Sequence, residues 1–205
     1  MDNFWSSGLV SGASVSPEFP PHVVGRMEIG IISDTHGLVR PEVYEAFEGV
    51  DLILHAGDIG SYDVILELEP IAPVKAVVGN VDVDLGPRFK EEMSFEVQKR
   101  TFHLQHILKN FPEEKEAFAQ HAKNTTSPPH LNPLPRGGED ESPSPSISEI
   151  IIFGHSHKPM NHQAGTTLYF NPGSAGPRRF KLPITVGRIT LEENKVTARI
   201  ISLES

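Results

Sequence analysis

Side chains that can bind metal ions recur along this chain, each directly after a short apolar segment. They lie in the segments ISDTHG, LHAGD, VVGN, FHLQH and FGHSHKP. The candidate ligands are Asp34, His36, Asp58, Asn80, His106, His155 and His157. Carboxylate, carboxamide and imidazole groups offer the oxygen and nitrogen donors that suit first-row divalent metals. The set is large enough to hold two divalent ions that share one carboxylate.

The first half of the chain alternates between strand-like and helix-like segments, and a candidate ligand follows each predicted strand. The pattern predicts strands at 27–33, 51–57 and 75–80 and helices at 41–50 and 61–69. The first predicted helix places Val43, Ala46, Phe47 and Val50 on one face. This order implies parallel strands joined by crossover helices. Because the carboxyl ends of parallel strands meet at one edge of a sheet, we expect the ligands to converge there.

The second half is richer in strands. Residues 94–97 and 101–106 predict a hairpin, 112–124 a helix, 149–153 a buried strand and 184–203 a closing antiparallel hairpin. In the hairpin, His106 is in phase with Phe102 and Leu104, whereas His103 has the opposite phase. His106 is therefore expected to face the core side of its strand. No role is assigned to His22, His121, His130 and His162, which the pattern places in disorder, on a helix surface or in a loop.

Two segments lack the pattern of a packed domain. Residues 1–26 are rich in Ser, Gly and Pro and are predicted to be a disordered N-terminal extension. Residues 125–146 hold 6 of the 18 prolines, which predicts a disordered insertion at about 125–147 within a single domain spanning 27–204. Since loop-closure entropy grows slowly with length, deleting 126–146 is expected to leave activity and stability nearly unchanged.

Composition narrows the possible functions. The chain of 205 residues has a formal charge of −9, which disfavours nonspecific nucleic-acid binding. It has no cysteine, so thiolate metal sites and disulfides are excluded. No segment approaches the apolar length of a membrane span, and the amino terminus does not have the pattern of a signal peptide. A cytoplasmic location is expected.

Each motif alone also fits a helix cap, a turn or a polar strand end. As an ordered set, GIISDTHG, LHAGD, VVGNVD, LQH and IIFGHSHKP resemble the five sequence blocks of the calcineurin-like metallophosphoesterase superfamily. NPGS at 171–174 resembles its small bacterial and archaeal phosphodiesterase branch, the YfcE type. The resemblance implies a four-layer α/β/β/α sandwich, with two mixed sheets flanked by helices.

The resemblance also implies how the ligands are divided. One metal would be held by Asp34, His36, Asp58 and His157, and the other by Asp58, Asn80, His106 and His155, with Asp58 bridging. The chain departs from the family pattern twice. His106 lies in Gln-His-Ile where Thr-His-Gly is usual, so its role rests on its strand phase. Val81 stands where many phosphomonoesterases of the superfamily have a histidine near the leaving group.

These features predict a binuclear metal-dependent phosphodiesterase that acts on small phosphodiesters through a metal-bridging hydroxide. Asp58 and Asn80 would act through that hydroxide, with no independent protein nucleophile. Mn²⁺ is the expected ion, and Ni²⁺, Co²⁺, Fe²⁺, Zn²⁺ and Mg²⁺ are alternatives. Two other functions remain open: a retromer-subunit-like protein-binding scaffold, and a phosphomonoesterase or nucleotidase on the same site. A homo-oligomer is possible, and no membrane partner is expected.

Overall fold

The computed structural model describes residues 25–109, 146–178 and 181–203. The elements occur along the chain as β1 (Met27–Ile32), α1 (Pro41–Ala46), β2 (Leu52–Ala56), α2 (Tyr62–Leu68), β3 (Val74–Val77), a 3₁₀ turn (Val83–Leu85), β4 (Glu92–Val97), β5 (Arg100–Gln105), β6 (Glu149–Ile152), β7 (Met160–Ala164), β8 (Thr167–Asn171), β9 (Thr185–Glu192) and β10 (Lys195–Ser202). No helix among these described residues is long and apolar enough to cross a membrane.

The strands form two mixed five-stranded sheets. The first has the order β10-β9-β1-β2-β3, with β1, β2 and β3 parallel and β9 antiparallel to both of its neighbours. The second has the order β4-β5-β6-β8-β7, with β5, β6 and β8 parallel. The edge strands β4 and β7 pair antiparallel with their neighbours. The predicted mixed sheets are confirmed, and so are the two predicted hairpins, β4–β5 and β9–β10.

A core of apolar side chains joins the two sheets face to face. Ile29 and Ile31 of β1 belong to this core together with Phe102 of β5 and Phe170 of β8, all of them fully buried. Close packing leaves no room for a side chain at Gly187, where an added Cβ would collide with the ring of Phe170. The alternation of buried and half-buried residues along β5 shows that this strand turns one face to the core.

Helices α1 and α2 form a layer on the outer face of the first sheet. Val43 and Phe47 from the first helical segment and Leu68 from α2 pack with Ile53 of β2 in a second core. The helix predicted at 41–50 ends earlier, at Ala46, because the chain turns through Gly49 at a φ of 70°. The predicted apolar face nevertheless packs as expected. The helix predicted at 112–124 lies outside the described residues.

Strand β7 of the second sheet was not predicted from the sequence pattern. Strand β7 lies at the sheet edge, and most of its residues are exposed or half-buried. Its sequence MNHQA has no apolar alternation, so periodicity gave no signal for a strand. His162 therefore lies on a strand, opposite Tyr169 of β8, and the prediction of a loop at this position is wrong.

Most of the two segments predicted to be disordered lies outside the described residues. Four residues of these segments are described, namely 25, 26, 146 and 147. Arg26 pairs with Glu28 at 2.6 Å, and Ile147 packs partly buried against the core between the sheets. The disorder predicted for the remaining residues of both segments stays a prediction.

Candidate metal centre

Loops from both sheets meet at one end of the sandwich, where the parallel strands have their carboxyl ends. Hydrogen bonds between backbone groups connect them: Asp34 N–H donates to Gly57 O at 3.0 Å, and Gly154 N–H donates to His106 O at 3.0 Å. These bonds join the loop after β1 to that after β2, and the loop after β6 to that after β5. Between the sheets, His155 N–H donates to Asp34 Oδ2 at 3.2 Å, and His106 Nε2 lies 3.0 Å from Asn80 Oδ1. The structure thus brings all seven predicted ligand residues to one place.

The first group of donor atoms comes from Asp34, His36 and His157. Their ligand atoms all lie within 4.8 Å of one another. His157 Nε2 lies 3.1 Å from Asp34 Oδ1, and His36 Nε2 lies 3.8 Å from Asp58 Oδ2. Donors about 2.0–2.2 Å from a divalent ion are separated from one another by about 3 Å or slightly more, so this spacing suits one ion.

A second group lies beside the first. His106 Nε2 is 3.3 Å from Asp58 Oδ1 and 3.0 Å from Asn80 Oδ1. His155 Nδ1 is 3.1 Å from the same Asn80 oxygen. Asp58, His106 and Asp34 also have ligand atoms within 4.8 Å of one another, so the two groups adjoin.

Asp58 lies between the two groups, and each of its carboxylate oxygens faces a different one. Its Oδ2 faces His36, whereas its Oδ1 faces His106 and accepts a hydrogen bond from Val81 N–H at 3.2 Å. Burial works to raise the pKa of Asp58, but the hydrogen bond with His106 and the nearby charges lower it to about 2. Asp58 is therefore ionised at neutral pH and presents a full negative charge to both groups.

His106 is oriented by a backbone carbonyl. Its Nδ1 lies 2.8 Å from Ala56 O, an acceptor only, so Nδ1 carries the proton and donates. Burial works to lower the pKa of His106, but the hydrogen bond with Asp58 raises it, so in the metal-free protein Nε2 can also carry a proton and donate to Asp58. Loss of that proton leaves a lone pair on Nε2 that is directed at Asp58 and Asn80. A histidine whose far nitrogen donates to a carbonyl is the usual arrangement of a metal ligand. This geometry supports the prediction made from strand phase, and His103 does face the other way, toward Ser94 and Glu149.

The burial and hydrogen bonds of Asp34 indicate whether the site fits a cation. It is fully buried, and its Oδ2 accepts hydrogen bonds from Ser33 Oγ at 2.6 Å and from His155 N–H at 3.2 Å. Its Oδ1 accepts no hydrogen bond from the described residues, although it faces the donor group. Burial raises the pKa of Asp34, because desolvation outweighs the hydrogen bond from Ser33. A bound cation would satisfy this buried oxygen and favour its charged form, so the residues present fit a divalent metal.

The backbone of the candidate ligands is unusual. Five of the seven have a positive φ: Asp34 (54°), His36 (47°), Asp58 (53°), His155 (67°) and His157 (56°). Non-glycine residues seldom adopt this left-handed region, since Cβ approaches the following carbonyl oxygen. Such conformations persist when the surrounding structure holds them, and they concentrate at functional sites.

The NPGS segment, residues 171–174, supports these loops through hydrogen bonds. Asn171 Nδ2 donates to Gly154 O at 2.8 Å, and Gly173 N–H donates to Asn171 Oδ1 at 2.9 Å. Ser174 Oγ donates to Asp34 O at 3.0 Å. Sequence reasoning missed the part played by Arg40, which donates to the carbonyls of Ala175 and Gly176. A lone arginine in a loop has no pattern that could have revealed it.

Two mixed sheets that hold a paired group of His, Asp and Asn donors at the ends of their parallel strands define a metallophosphoesterase-type protein. Residues 27–194 match the family model of the calcineurin-like phosphoesterase superfamily domain, and the chain belongs to this family. A probable metallophosphoesterase of Methanothermobacter thermautotrophicus is 32% identical over 183 residues, covering 85% of this chain and 92% of the relative. A phosphodiesterase of Methanocaldococcus jannaschii is 26% identical, covering 82% of this chain and 96% of the relative.

Solved structures agree with the fold. The phosphoesterase YfcE from E. coli has a TM-score of 0.54 at 20% identity, covering 87% of this chain and 100% of that chain. Vacuolar protein sorting 29 from Cryptosporidium parvum has a TM-score of 0.63 at 17% identity, covering 88% of this chain and 93% of that chain. The predicted family and sandwich fold are confirmed.

Proposed function

We propose that this protein is a binuclear metal-dependent phosphodiesterase that hydrolyses small phosphodiesters. The observation that carries the proposal is the position of Asp58, whose two carboxylate oxygens face two separate donor groups. A carboxylate placed in this way can bridge two ions, which is the arrangement that two-metal hydrolases use.

The proposed ligands divide according to these contacts. The first ion would be held by Asp34, His36, Asp58 and His157, and the second by Asp58, Asn80, His106 and His155. Mn²⁺ is the ion to test first, because imidazole and carboxylate together suit a first-row metal. When bound, such a pair of cations supplies a water of lowered pKa and neutralises the charge that develops on the phosphoryl group.

The burial of the site residues supports substrate access from one side. Asp34, Asp58, His106 and His157 are buried and form the floor of the site. Asn80 and His155 are exposed at its surface. A phosphodiester approaching from solvent would therefore meet the second donor group first, while the charges beneath it are shielded from water. Shielding strengthens electrostatic interactions with the phosphoryl oxygens.

Val81 stands where many phosphomonoesterases of the superfamily have a histidine near the leaving group, and its presence favours a diester over a monoester as substrate. It follows Asn80, is 46% exposed, and uses its backbone N–H to bond Asp58. Its side chain holds no proton that could be given to a leaving alkoxide. Leaving groups that depart without a proton, such as aryloxides, should therefore react best. The phosphodiesterase named among the relatives is consistent with this preference.

Metal content and hydrolysis should be measured together on wild type and on His106→Ala. Wild type is expected to bind about two Mn²⁺ per chain and to cleave bis-p-nitrophenyl phosphate faster than p-nitrophenyl phosphate. The variant should bind about one ion and lose at least about 100-fold in rate, since changes to outer-shell partners alone cost about 10–100-fold. His103→Ala is the matched control, because that histidine lies on β5, three residues before His106, but faces away from the site.

A protein-binding scaffold is the second candidate, and the similarity in fold to vacuolar protein sorting 29 favours it. The same assay separates the two functions. A scaffold would cleave neither substrate at any Mn²⁺ concentration, and His106→Ala would then have no activity to lose. Faster cleavage of p-nitrophenyl phosphate than of the diester would instead indicate a phosphomonoesterase.

A further inference from the structure

Beneath the candidate metal centre lies a buried carboxylate that is not one of the proposed ligands. Asp82 is 3% exposed and accepts three hydrogen bonds from backbone N–H groups. Ile59 and Gly79 donate to its Oδ2 at 3.0 and 2.8 Å, and Gly60 donates to its Oδ1 at 2.7 Å. Both oxygens of the carboxylate are therefore occupied by the protein itself.

The three donors belong to the two loops that carry Asp58 and Asn80. Ile59 and Gly60 directly follow Asp58 after β2, while Gly79 directly precedes Asn80 after β3. Parallel strands β2 and β3 are hydrogen bonded only up to the pair of Ala56 and Val77. Beyond that pair, Asp82 connects the two loops through three hydrogen bonds, and the bond from Val81 N–H to Asp58 Oδ1 adds a fourth.

The peptide group between Ile59 and Gly60 extends this connection to a third loop. Its N–H, from Gly60, donates to Asp82, and its carbonyl oxygen, from Ile59, accepts hydrogen bonds from Gly37 N–H at 2.7 Å and from Thr35 Oγ1 at 2.9 Å. Gly37 follows His36, and Thr35 lies between Asp34 and His36. One buried carboxylate thus links, directly or through one peptide group, the loops after β1, β2 and β3.

These loops need such support because of their backbone conformation. Asp34, His36 and Asp58 all have a positive φ. Left to itself, the backbone at these residues would relax to the favoured negative-φ regions and turn their side chains away from the shared centre. A carboxylate that accepts from neighbouring N–H groups opposes this relaxation through charge-assisted hydrogen bonds.

We propose that Asp82 is a positioning residue, which holds the loops of Asp58 and Asn80 in the metal-binding conformation before metal arrives. The proposal rests on the proposed function in one respect, namely that the centre binds metal. Its structural part, the rigidity of the loops, does not depend on metal.

The test uses Asp82→Asn, which has nearly the same shape but replaces one acceptor oxygen with an NH₂ donor. That donor would face a backbone N–H, so at least one of the three hydrogen bonds is lost. Asp84→Asn is the matched control, since Asp84 lies two residues further on and is exposed. Asp82→Glu keeps the charge and both acceptor oxygens. If Asp82→Asn does not fold, the same measurements are made on Asp82→Glu instead.

The first measurement is amide hydrogen exchange by NMR on the metal-free full chain. In wild type the amides of Ile59, Gly60 and Gly79 should exchange slowly. In Asp82→Asn they should exchange at least about 10-fold faster while core strand amides stay unchanged, because local opening is measured separately from global unfolding. Equal protection in wild type and Asp82→Asn would overturn the proposal whether or not the protein binds metal.

The second measurement is Mn²⁺ titration by calorimetry on the same proteins. Asp82→Asn should bind Mn²⁺ at least about 10-fold more weakly than wild type, as outer-shell changes do, with partial recovery in Asp82→Glu and no change in Asp84→Asn. Unchanged Mn²⁺ affinity in a folded Asp82→Asn would refute the positioning role, even if its thermal midpoint fell. Wild type that binds no Mn²⁺ would refute the proposed function instead, and amide exchange alone would then decide the role of Asp82.

Discussion

His55 leads to a prediction about how stability depends on pH. It lies on β2, is fully buried, and places Nε2 2.9 Å from Thr35 Oγ1. The Thr35 hydroxyl proton is directed to Ile59 O, so the Thr35 oxygen accepts and His55 Nε2 carries a proton. Its Nδ1 has no hydrogen-bond partner among the described residues. The imidazole is therefore folded into the protein in its neutral form.

Burial lowers the pKa of His55 from 6.5 to about 3, because the charged form cannot be solvated. Between these two pH values the unfolded chain binds a proton that the folded chain does not. Stability must then fall as the pH falls below about 6.5. At about 1.4 kcal/mol per pH unit, this one residue lowers the free energy of unfolding by about 2 kcal/mol between pH 7 and pH 5.

The assay is urea unfolding of the metal-free protein at pH 7 and pH 5, for wild type and for His55→Gln. Glutamine can still donate a hydrogen bond to Thr35 but does not titrate in this range. Asp34 and His106 also have raised pKa values, but both proteins contain them, so their effects cancel in the comparison.

Wild type should lose about 2 kcal/mol more than His55→Gln on going from pH 7 to pH 5. The reasoning is refuted if the two proteins lose the same free energy of unfolding, or if the variant loses more. Either result would mean that His55 is already protonated in the folded state, or that water solvates it there.

Three further outcomes are expected. Phe47→Ala should lower the free energy of unfolding by about 3–5 kcal/mol in urea titrations, because the ring is fully buried. Tyr44→Ala is the control, and since Tyr44 is half-exposed it should change this free energy by less than about 1 kcal/mol. Similar losses in the two variants would contradict the packing described for the helical layer. Gly154→Ala should lower Mn²⁺ affinity in calorimetry, because the new Cβ would lie 2.9 Å from Ala56 O and Asp34 Oδ2. A Gly154→Ala variant with the Mn²⁺ affinity of wild type would contradict this steric argument. Mn²⁺ at about 100 times its dissociation constant should raise the free energy of unfolding by about 2.7 kcal/mol, and no rise would contradict binding to the native state.

Elements with a strong local pattern could be predicted without the structure. Strands β1, β2 and β6 are short apolar segments, and the face of the first helix repeats with helical spacing. Strand β7 has neither property, because an edge strand with exposed residues has no apolar face to maintain. The end of α1 at Ala46 was also missed, since Phe47 and Val50 continue the apolar face of the helix although the backbone turns at Gly49. Local apolar patterns record burial, and burial can continue past the residue where a helix ends.

The amino-acid sequence by itself determined the identity and order of the candidate ligands, since each follows a strand and parallel strands end at the same edge. It could not assign a role to Asp82, although the residue stands in the VVGNVD segment, because its partners Ile59 and Gly60 lie 23 and 22 residues away. The tautomer of His106 likewise depends on a carbonyl 50 residues away. Ligand type is a property of single residues, so sequence can reveal it. The orientation of a ligand depends on hydrogen bonds between loops, and these exist only once the two sheets have packed.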